Sequence, residues 1–282
     1  MIYLQDLNSK LKLLKEFILE KGKDGVVIAF SGGVDSSTLA ALSHELLGEK
    51  ATAVIAQSPT YTSEELKDAK KTAKDIGIKL YVIETNELAN ENFSKNPENR
   101  CYYCKKELLQ ALINFANELG FKAVFEGTNL SDLSDHRPGF KAVKEAKNVF
   151  SPWMINGFSK NEIRQVAKTM GLRVHDKPAL ACLASRIPFN EKITAEKLRR
   201  IDKAEQAVKT ITGVKQVRVR DHNGLARIEV GKSERELLCN LVVQDKINNE
   251  LKQLGFKYVT VDLAGYQTGS MLRTLDKSKK PL

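Results

Sequence analysis

Cysteine is scarce in this chain: Cys101, Cys104, Cys182 and Cys239 are the only four in 282 residues. That is too few to staple a secreted domain of this length, so the thiols are expected to be reduced, ligating or reactive in a cytoplasmic protein. No apolar run approaches the roughly 20 residues that span a bilayer. The first six residues lack the basic-then-apolar layout of a signal peptide. No internal repeat is visible, and only residues 276–282 have the composition of a flexible basic tail. Histidine is rare too, and His44, His136, His175 and His222 each read as surface residues rather than catalytic ones.

What is present is a globular composition, 42% hydrophobic, with a formal charge of +10. Residues 190–282 carry seven of those ten net charges, which points to phosphate-bearing partners. An amphipathic helix pattern over residues 4–20 precedes the short β-branched run 25–30. Further strand-like runs lie at 51–56, 79–83 and 122–125, with helix patterns at 36–47, 63–76 and 105–119 between them. Strands alternating with helices of this length predict βαβ units and a doubly wound parallel sheet, hence an α/β fold. After about residue 188 the rhythm changes. A helix (194–210), two alternating runs around Asn223-Gly224, a helix (233–254) and a strand (258–263) predict a smaller α+β C-terminal domain. The expected division is 1–188, 189–275 and the tail 276–282.

The most specific local signal is Ser31-Gly32-Gly33-Val34-Asp35-Ser36-Ser37, placed between the first strand and a helix. Two glycines let the backbone turn its N–H groups onto an anion, and the following helix points its positive end at the same place. Ser31, Ser36 and Ser37 add hydroxyl donors, and Asp35 is suited to hold Mg²⁺ against phosphates. The Gly-Lys-Ser/Thr ending of a P-loop kinase is absent. The segment resembles the SGGxDS signature of the PP-loop ATP pyrophosphatases. That resemblance implies cleavage of ATP between its α and β phosphates, adenylation of a substrate oxygen, and displacement of AMP by a nucleophile.

Cys101 and Cys104 form a C-x-x-C at a helix start, beside Arg100, Lys105 and Lys106, where cations and the helix terminus favour thiolates. Two thiols at this spacing can grip one metal ion or cluster, but a zinc ribbon would need a second such pair. Cys182 lies in a segment of small residues followed by Ser185-Arg186, which suits a reactive or ligating thiol. Cys239 falls on a helical apolar stripe and is expected to be a buried core thiol. Arg218 and Arg220 alternate on a strand and so share a face. Glu126, Asp132 and Asp135 could ligate a metal or position pyrophosphate, and the aspartates could equally cap turns. Trp153 reads as core, and Glu229 as an exposed strand carboxylate.

Taken together, residues 31–37, Asn99 to Lys105, Glu126-Gly127-Thr128-Asn129 with Asp132, Asp135 and Arg137-Pro138-Gly139, Ala181 to Arg186, Val217 to Arg220 and Ala226 to Val230 resemble the LarE-type sulfur transferases over nearly the whole chain. The resemblance implies a nicotinate-derived mononucleotide substrate with two carboxylates, each adenylated and then converted to a thiocarboxylate for the nickel-pincer cofactor of lactate racemase. It implies ATP and Mg²⁺ contacts from Ser31, Gly32, Gly33, Asp35, Ser36, Ser37, Gly127 and Thr128, and substrate contacts from Ser185, Arg186, Arg218 and Arg220.

In one branch of that family a cysteine at the position of Cys182 gives up its own sulfur. Cys101 and Cys104 depart from that pattern. With Cys182 they match a three-cysteine branch in which a [4Fe–4S] cluster carries a sulfide supplied by a donor. Both readings stay open at this point. A homo-oligomer, possible cofactor-pathway partners and no membrane are expected. The rivals are tRNA thiolation, which the lack of a recognisable RNA-binding module disfavours, amide or NAD synthesis, and an inactive nucleotide-fold scaffold.

Overall fold

The computed structural model describes residues 6–134, 138–178, 181–267 and 269–271. Leu4, Asp135, His136, Arg137 and the expected tail 276–282 lie outside the described residues. In chain order the elements are α1 (Leu7–Gly22), β1 (Val26–Ala29), α2 (Val34–Leu47), β2 (Ala51–Gln57), α3 (Ser63–Ile76) and β3 (Leu80–Glu84). There follow α4 (Glu91–Ser94), α5 (Arg100–Glu118), β4 (Ala123–Phe125), α6 (Gly139–Glu145), β5 (Val149–Phe150), α7 (Pro152–Ile155) and α8 (Lys160–Thr169). The last are α9 (Ala195–Thr212), β6 (Val217–His222), β7 (Leu225–Val230), α10 (Leu241–Gln253) and β8 (Tyr258–Val261). Among the described residues no helix is long and apolar enough to cross a membrane.

The chain forms two compact units, one of residues up to Glu87 with Cys101–Leu180, the other of Leu88–Arg100 with the residues from Ala181 on. In the first, five strands pair in the order β3-β2-β1-β4-β5, all parallel. Alternate residues of one strand feed two cores: Val26 and Ile28 pack with Leu14, Ile18, Leu39 and Trp153 on one face. Val27 packs with Leu109, Leu112 and Ala116 of α5 on the other. A strand buried on both faces needs apolar residues at every position, which explains the unbroken run there. Because β2 and β4 flank β1 on opposite sides, the loops after β1 and β4 diverge at a topological switch point, where open α/β sheets bind ligands.

The second unit holds a three-stranded sheet in the order β6-β7-β8. β6 and β7 form an antiparallel hairpin, and Asn223 (φ 50°) and Gly224 (φ 93°) supply the two left-handed positions of its turn. Val217, Val219, Ala226, Ile228 and Val230 share the face that packs on Ala204, Val208, Ile247 and Leu251 of α9 and α10.

Two sequence expectations change here. The single helix expected over 233–254 is broken into a 3-10 stretch, Lys232–Leu238, and α10, because the Asn240 side chain accepts from the backbone N–H of Val242 and Val243 and starts a new helix. Cys239 therefore caps the 3-10 stretch and is exposed, not a core thiol, and Leu238 takes the buried place. In the first unit, β5 and α6 to α8 had no counterpart in the sequence reading.

Asn96 anchors the 88–100 excursion. It is fully buried at φ 58°. Its side-chain amide donates to the carbonyls of Pro188 (2.6 Å) and Ile187 (3.3 Å), and its side-chain oxygen accepts from Arg100 (2.8 Å). Asn96→Gly should lose about 1–3 kcal/mol by stranding those groups. Asn96→Ala should lose about 1 kcal/mol more, since alanine is strained in the left-handed region. Urea unfolding of the two variants checks both the size and the order.

Candidate active site

The loop after β1 is built for an anion. Gly32 has φ +68°, and a Cβ there would lie 2.8 Å from the Ala69 Cα, so only glycine fits. The Ser36 hydroxyl accepts from the Ser31 N–H (3.1 Å), lies 3.0 Å from the Ser31 hydroxyl, and donates to the Gly33 carbonyl (3.3 Å), which closes the loop on itself. Gly33 caps α2 without a side chain, so no side-chain cap competes for the amides of the first turn. Ser37 Oγ is buried and has no hydrogen-bond partner among the described residues. An orphaned buried hydroxyl beside uncapped amides fits a phosphate oxygen.

Asp35, on the first turn of α2, ties this loop to three other segments. One carboxylate oxygen pairs with Lys160 at the start of α8. The other accepts from the Asn129 side chain (3.3 Å), which also donates to Asp132 (3.0 Å). The backbone carbonyl of Asp35 accepts from the indole N–H of Trp153 (3.0 Å), a buried core residue as expected. Gly127 permits the approach, since a Cβ there would sit 3.2 Å from the Asp35 Cβ and 3.3 Å from the Ser36 nitrogen. Burial raises the Asp35 pKa above its usual value, with Lys160 opposing and Asp132 adding to the rise. The sequence reading missed Lys160. Its signal was the capping box Ser159-Lys160-Asn161-Glu162, which fixes a helix start and aims its first residues.

Glu126 immediately follows β4 and is buried. It accepts from Lys105 (2.9 Å), the Thr128 N–H (3.1 Å) and hydroxyl (2.8 Å), and the Ser151 hydroxyl. Burial alone would raise its pKa, but Lys105 and the hydroxyl donors outweigh burial and hold the carboxyl below the usual range. These four donors give Glu126 an organising position: it joins the ends of β4 and β5 to α5. Lys105 lies on α5 one residue beyond Cys104 and four beyond Cys101.

Cys101 is exposed and Cys104 half-buried on the first turn of α5, in the first unit. Cys182 is exposed and precedes a 3-10 turn, Leu183–Arg186, in the second unit. Within each unit, no three His, Cys, Asp or Glu side chains gather as a metal site among the described residues.

The arginines of the second unit are used in ways the sequence did not indicate. Arg186 is buried and forks onto Glu205 (2.8 and 3.1 Å), while its other nitrogen donates to the Cys182 carbonyl and the Ser185 hydroxyl (both 3.0 Å). Arg220 is buried and forks onto Glu229 (3.0 and 2.7 Å), with a further bond to the Ser185 carbonyl (2.8 Å). Glu229 is thus not an exposed strand carboxylate: it is buried between Arg220 and Arg227. Arg218 differs. It is half-buried, lies over the Tyr266 ring (5.4 Å), and has no carboxylate within ion-pair distance among the described residues. Burial, then the nearby Arg186, lower its pKa from the usual arginine value.

Removing the Lys105 ammonium tests the Glu126 arrangement. In the wild type the depressed pKa contributes stability that is present above the ordinary carboxyl value of 4.5 and lost only as pH falls through the lower folded value. In Lys105→Met, burial raises the Glu126 pKa instead. The variant should lose about 3–5 kcal/mol at neutral pH. That deficit should narrow as pH falls toward 4.5 and the carboxyl takes up a proton. Chemical denaturation across that pH interval measures it.

Comparison with known proteins agrees with this geometry. Residues 6–120 match the NAD synthase family. An uncharacterized protein of Synechocystis is 44% identical over 271 residues, 96% of this chain and all of its own length. The pyridinium-3,5-bisthiocarboxylic acid mononucleotide synthase of Lactiplantibacillus plantarum is 34% identical over 255 residues, 90% of this chain and 91% of the relative. More distantly, the tRNA-specific 2-thiouridylase of Rickettsia prowazekii is 25% identical over 242 residues, 73% of this chain and 67% of the relative. A nucleotide loop at the switch point of a parallel sheet, together with 34% identity along nine-tenths of both chains, places the protein in the family of LarE-type sulfur transferases, enzymes of the PP-loop ATP pyrophosphatase superfamily.

Proposed function

We propose that this enzyme uses ATP to convert the carboxylates of a pyridinium-biscarboxylate mononucleotide to thiocarboxylates; its Lactiplantibacillus relative is named as a synthase of the pyridinium-3,5-bisthiocarboxylic acid mononucleotide. The carrying observation is the loop at residues 31–37, with uncapped amides, an orphaned Ser37 hydroxyl and the Asp35 carboxylate converging at one end of α2. A substrate carboxylate oxygen attacks the α phosphorus, the bond to the β phosphate breaks, and pyrophosphate leaves. A sulfur nucleophile then attacks the acyl carbon and AMP departs. Gly127 and Thr128 line the turn that closes on Asp35 and contribute to the nucleotide site.

Asp35 and Asp132 share the Asn129 amide and supply hard oxygen donors, the chemistry Mg²⁺ prefers. Lys160 holds the Asp35 carboxylate in place. Arg218 is the guanidinium left to meet the phosphate or a carboxylate of the mononucleotide, while Arg186, Arg220 and Ser185 shape the surface around it. The soft donor set Cys101, Cys104 and Cys182 fits iron better than magnesium: two thiols are one helical turn apart on α5, and the third is exposed at a turn. When bound there, a [4Fe–4S] cluster would supply a sulfide at an iron that no cysteine occupies. With or without it, Cys182 is the thiol on which sulfur transfer depends.

Asp35→Ala should abolish pyrophosphate release. Cys182→Ala should leave pyrophosphate release intact and stop thiocarboxylate formation. Thiocarboxylate made by Cys182→Ala at the wild-type rate overturns the role given to that thiol. Anaerobic purification should yield about four iron and four acid-labile sulfide per chain, lost in Cys101→Ala. No iron, with a loss of about 34 Da from the intact protein after turnover, would make Cys182 itself the sulfur source.

A further inference from the structure

The Gly32–Gly33 peptide poses a problem that the loop's own hydrogen bonds do not solve. A peptide bond flanked by two glycines rotates at little cost, because neither neighbour carries a Cβ to resist it. In a trans peptide the C=O and the next N–H point in opposite directions. Flipping this peptide would replace the Gly33 N–H with the Gly32 carbonyl oxygen on the side that receives the anion, turning attraction into repulsion. Within the loop the Gly33 N–H is held only by a long contact to the Ser31 hydroxyl (3.4 Å).

The opposite end of the same peptide is held from far away in sequence. Lys177 Nζ donates to the Gly32 carbonyl (3.3 Å) and to Asp68 on α3 (3.1 Å). Lys177 is itself fixed: its N–H donates to the Val174 carbonyl (3.1 Å), and its carbonyl accepts from Arg164 of α8 (2.9 Å). Arg164 stands one helical turn beyond Lys160, the residue that pairs with Asp35. One face of α8 thus reaches both sides of the loop, directly through Lys160 and indirectly through Arg164 and Lys177. No catalytic duty is left for Lys177 in this arrangement, and its ammonium is committed to a backbone oxygen and a carboxylate.

We propose that Lys177 is a positioning residue of the phosphate loop, which locks the Gly32–Gly33 peptide with its N–H facing the anion. The inference rests on the reading that this loop binds the phosphates of ATP. It differs from a general electrostatic role, in which Lys177 would merely neutralise Asp68 beside an anionic ligand.

Equilibrium binding of inorganic pyrophosphate and of adenosine separates these cases in the full-length protein. Lys177→Met should weaken pyrophosphate binding about tenfold, the scale of one lost charge-assisted orientation, and leave adenosine binding unchanged. Lys177→Arg, which keeps a cationic donor, should recover most of the loss. The double variant Lys177→Met with Asp68→Asn should remain as weak as Lys177→Met alone. Unchanged pyrophosphate affinity in Lys177→Met overturns the inference. So does an equal loss for adenosine, which signals general damage to the site, or recovery in the double variant, which assigns the effect to charge. A wild-type protein that binds neither ATP nor pyrophosphate overturns the ATP reading itself, and this inference with it.

Discussion

A site that must attract phosphate cannot tolerate uncompensated carboxylates, and the first unit places two of them at the ends of neighbouring strands. Asp35 follows β1 and Glu126 follows β4, and each is answered by one lysine from a different helix, Lys160 from α8 and Lys105 from α5. A buried carboxylate left alone would cost several kcal/mol or take up a proton. The two ion pairs therefore decide more than local charge. They fix where α5 and α8 begin relative to the sheet edge, and they bring the C-x-x-C turn and the nucleotide loop to one end of the same sheet. The doubly wound topology supplies the crevice, and the lysines keep it usable by an anion.

The two carboxylates are nonetheless treated differently, and the difference suits their roles. Glu126 accepts four hydrogen bonds and is held ionised well inside the protein, so it behaves as a fixed brace. Asp35 has fewer donors, and burial pushes its pKa upward rather than down. A carboxylate in that condition gains more from a cation than a fully satisfied one does. That contrast supports the proposal that Asp35, rather than Glu126, meets a cation, while Glu126 braces the strand ends.

Much of the first unit was legible in the sequence because parallel strands buried on both faces leave unbroken β-branched runs, as at Val26–Ala29, and because Gly32 and Gly33 mark a backbone path few residues can follow. β5 was not legible, since two residues paired at a sheet edge carry no periodicity. The helix expected through Cys239 failed for a local reason: apolar spacing alone cannot reveal that Asn240 will cap a new helix, though an asparagine before an apolar stretch is a start signal. The carboxylate partners of Arg186 and Arg220 were not legible because alternation on a strand gives the face a side chain occupies but not its partner. Glu205 lies 19 residues from Arg186, and no spacing rule pairs them.

Those buried pairs also bear on how a thiol can be both exposed and well placed. An ion pair of this kind adds little net stability, since desolvation offsets most of its attraction, but it strongly specifies geometry. Arg186 is fixed by Glu205, and the same guanidinium donates to the carbonyl of Cys182. Glu205 also accepts from the Val219 N–H of β6 (3.0 Å), so the turn carrying Cys182 is referenced to the sheet through one carboxylate. The Cys182 backbone is thereby held while its side chain stays open to solvent. The role proposed for Cys182, to meet an activated acyl carbon or to bind iron, needs that combination: a thiol buried for rigidity could not be reached, and one on a loose loop would not be positioned. Arg186 and Arg220 hold the turn that carries Cys182 through their bonds to Glu205, Glu229 and the Ser185 carbonyl, whereas Arg218 has no carboxylate within ion-pair distance among the described residues, which supports the proposal that it meets an anionic substrate.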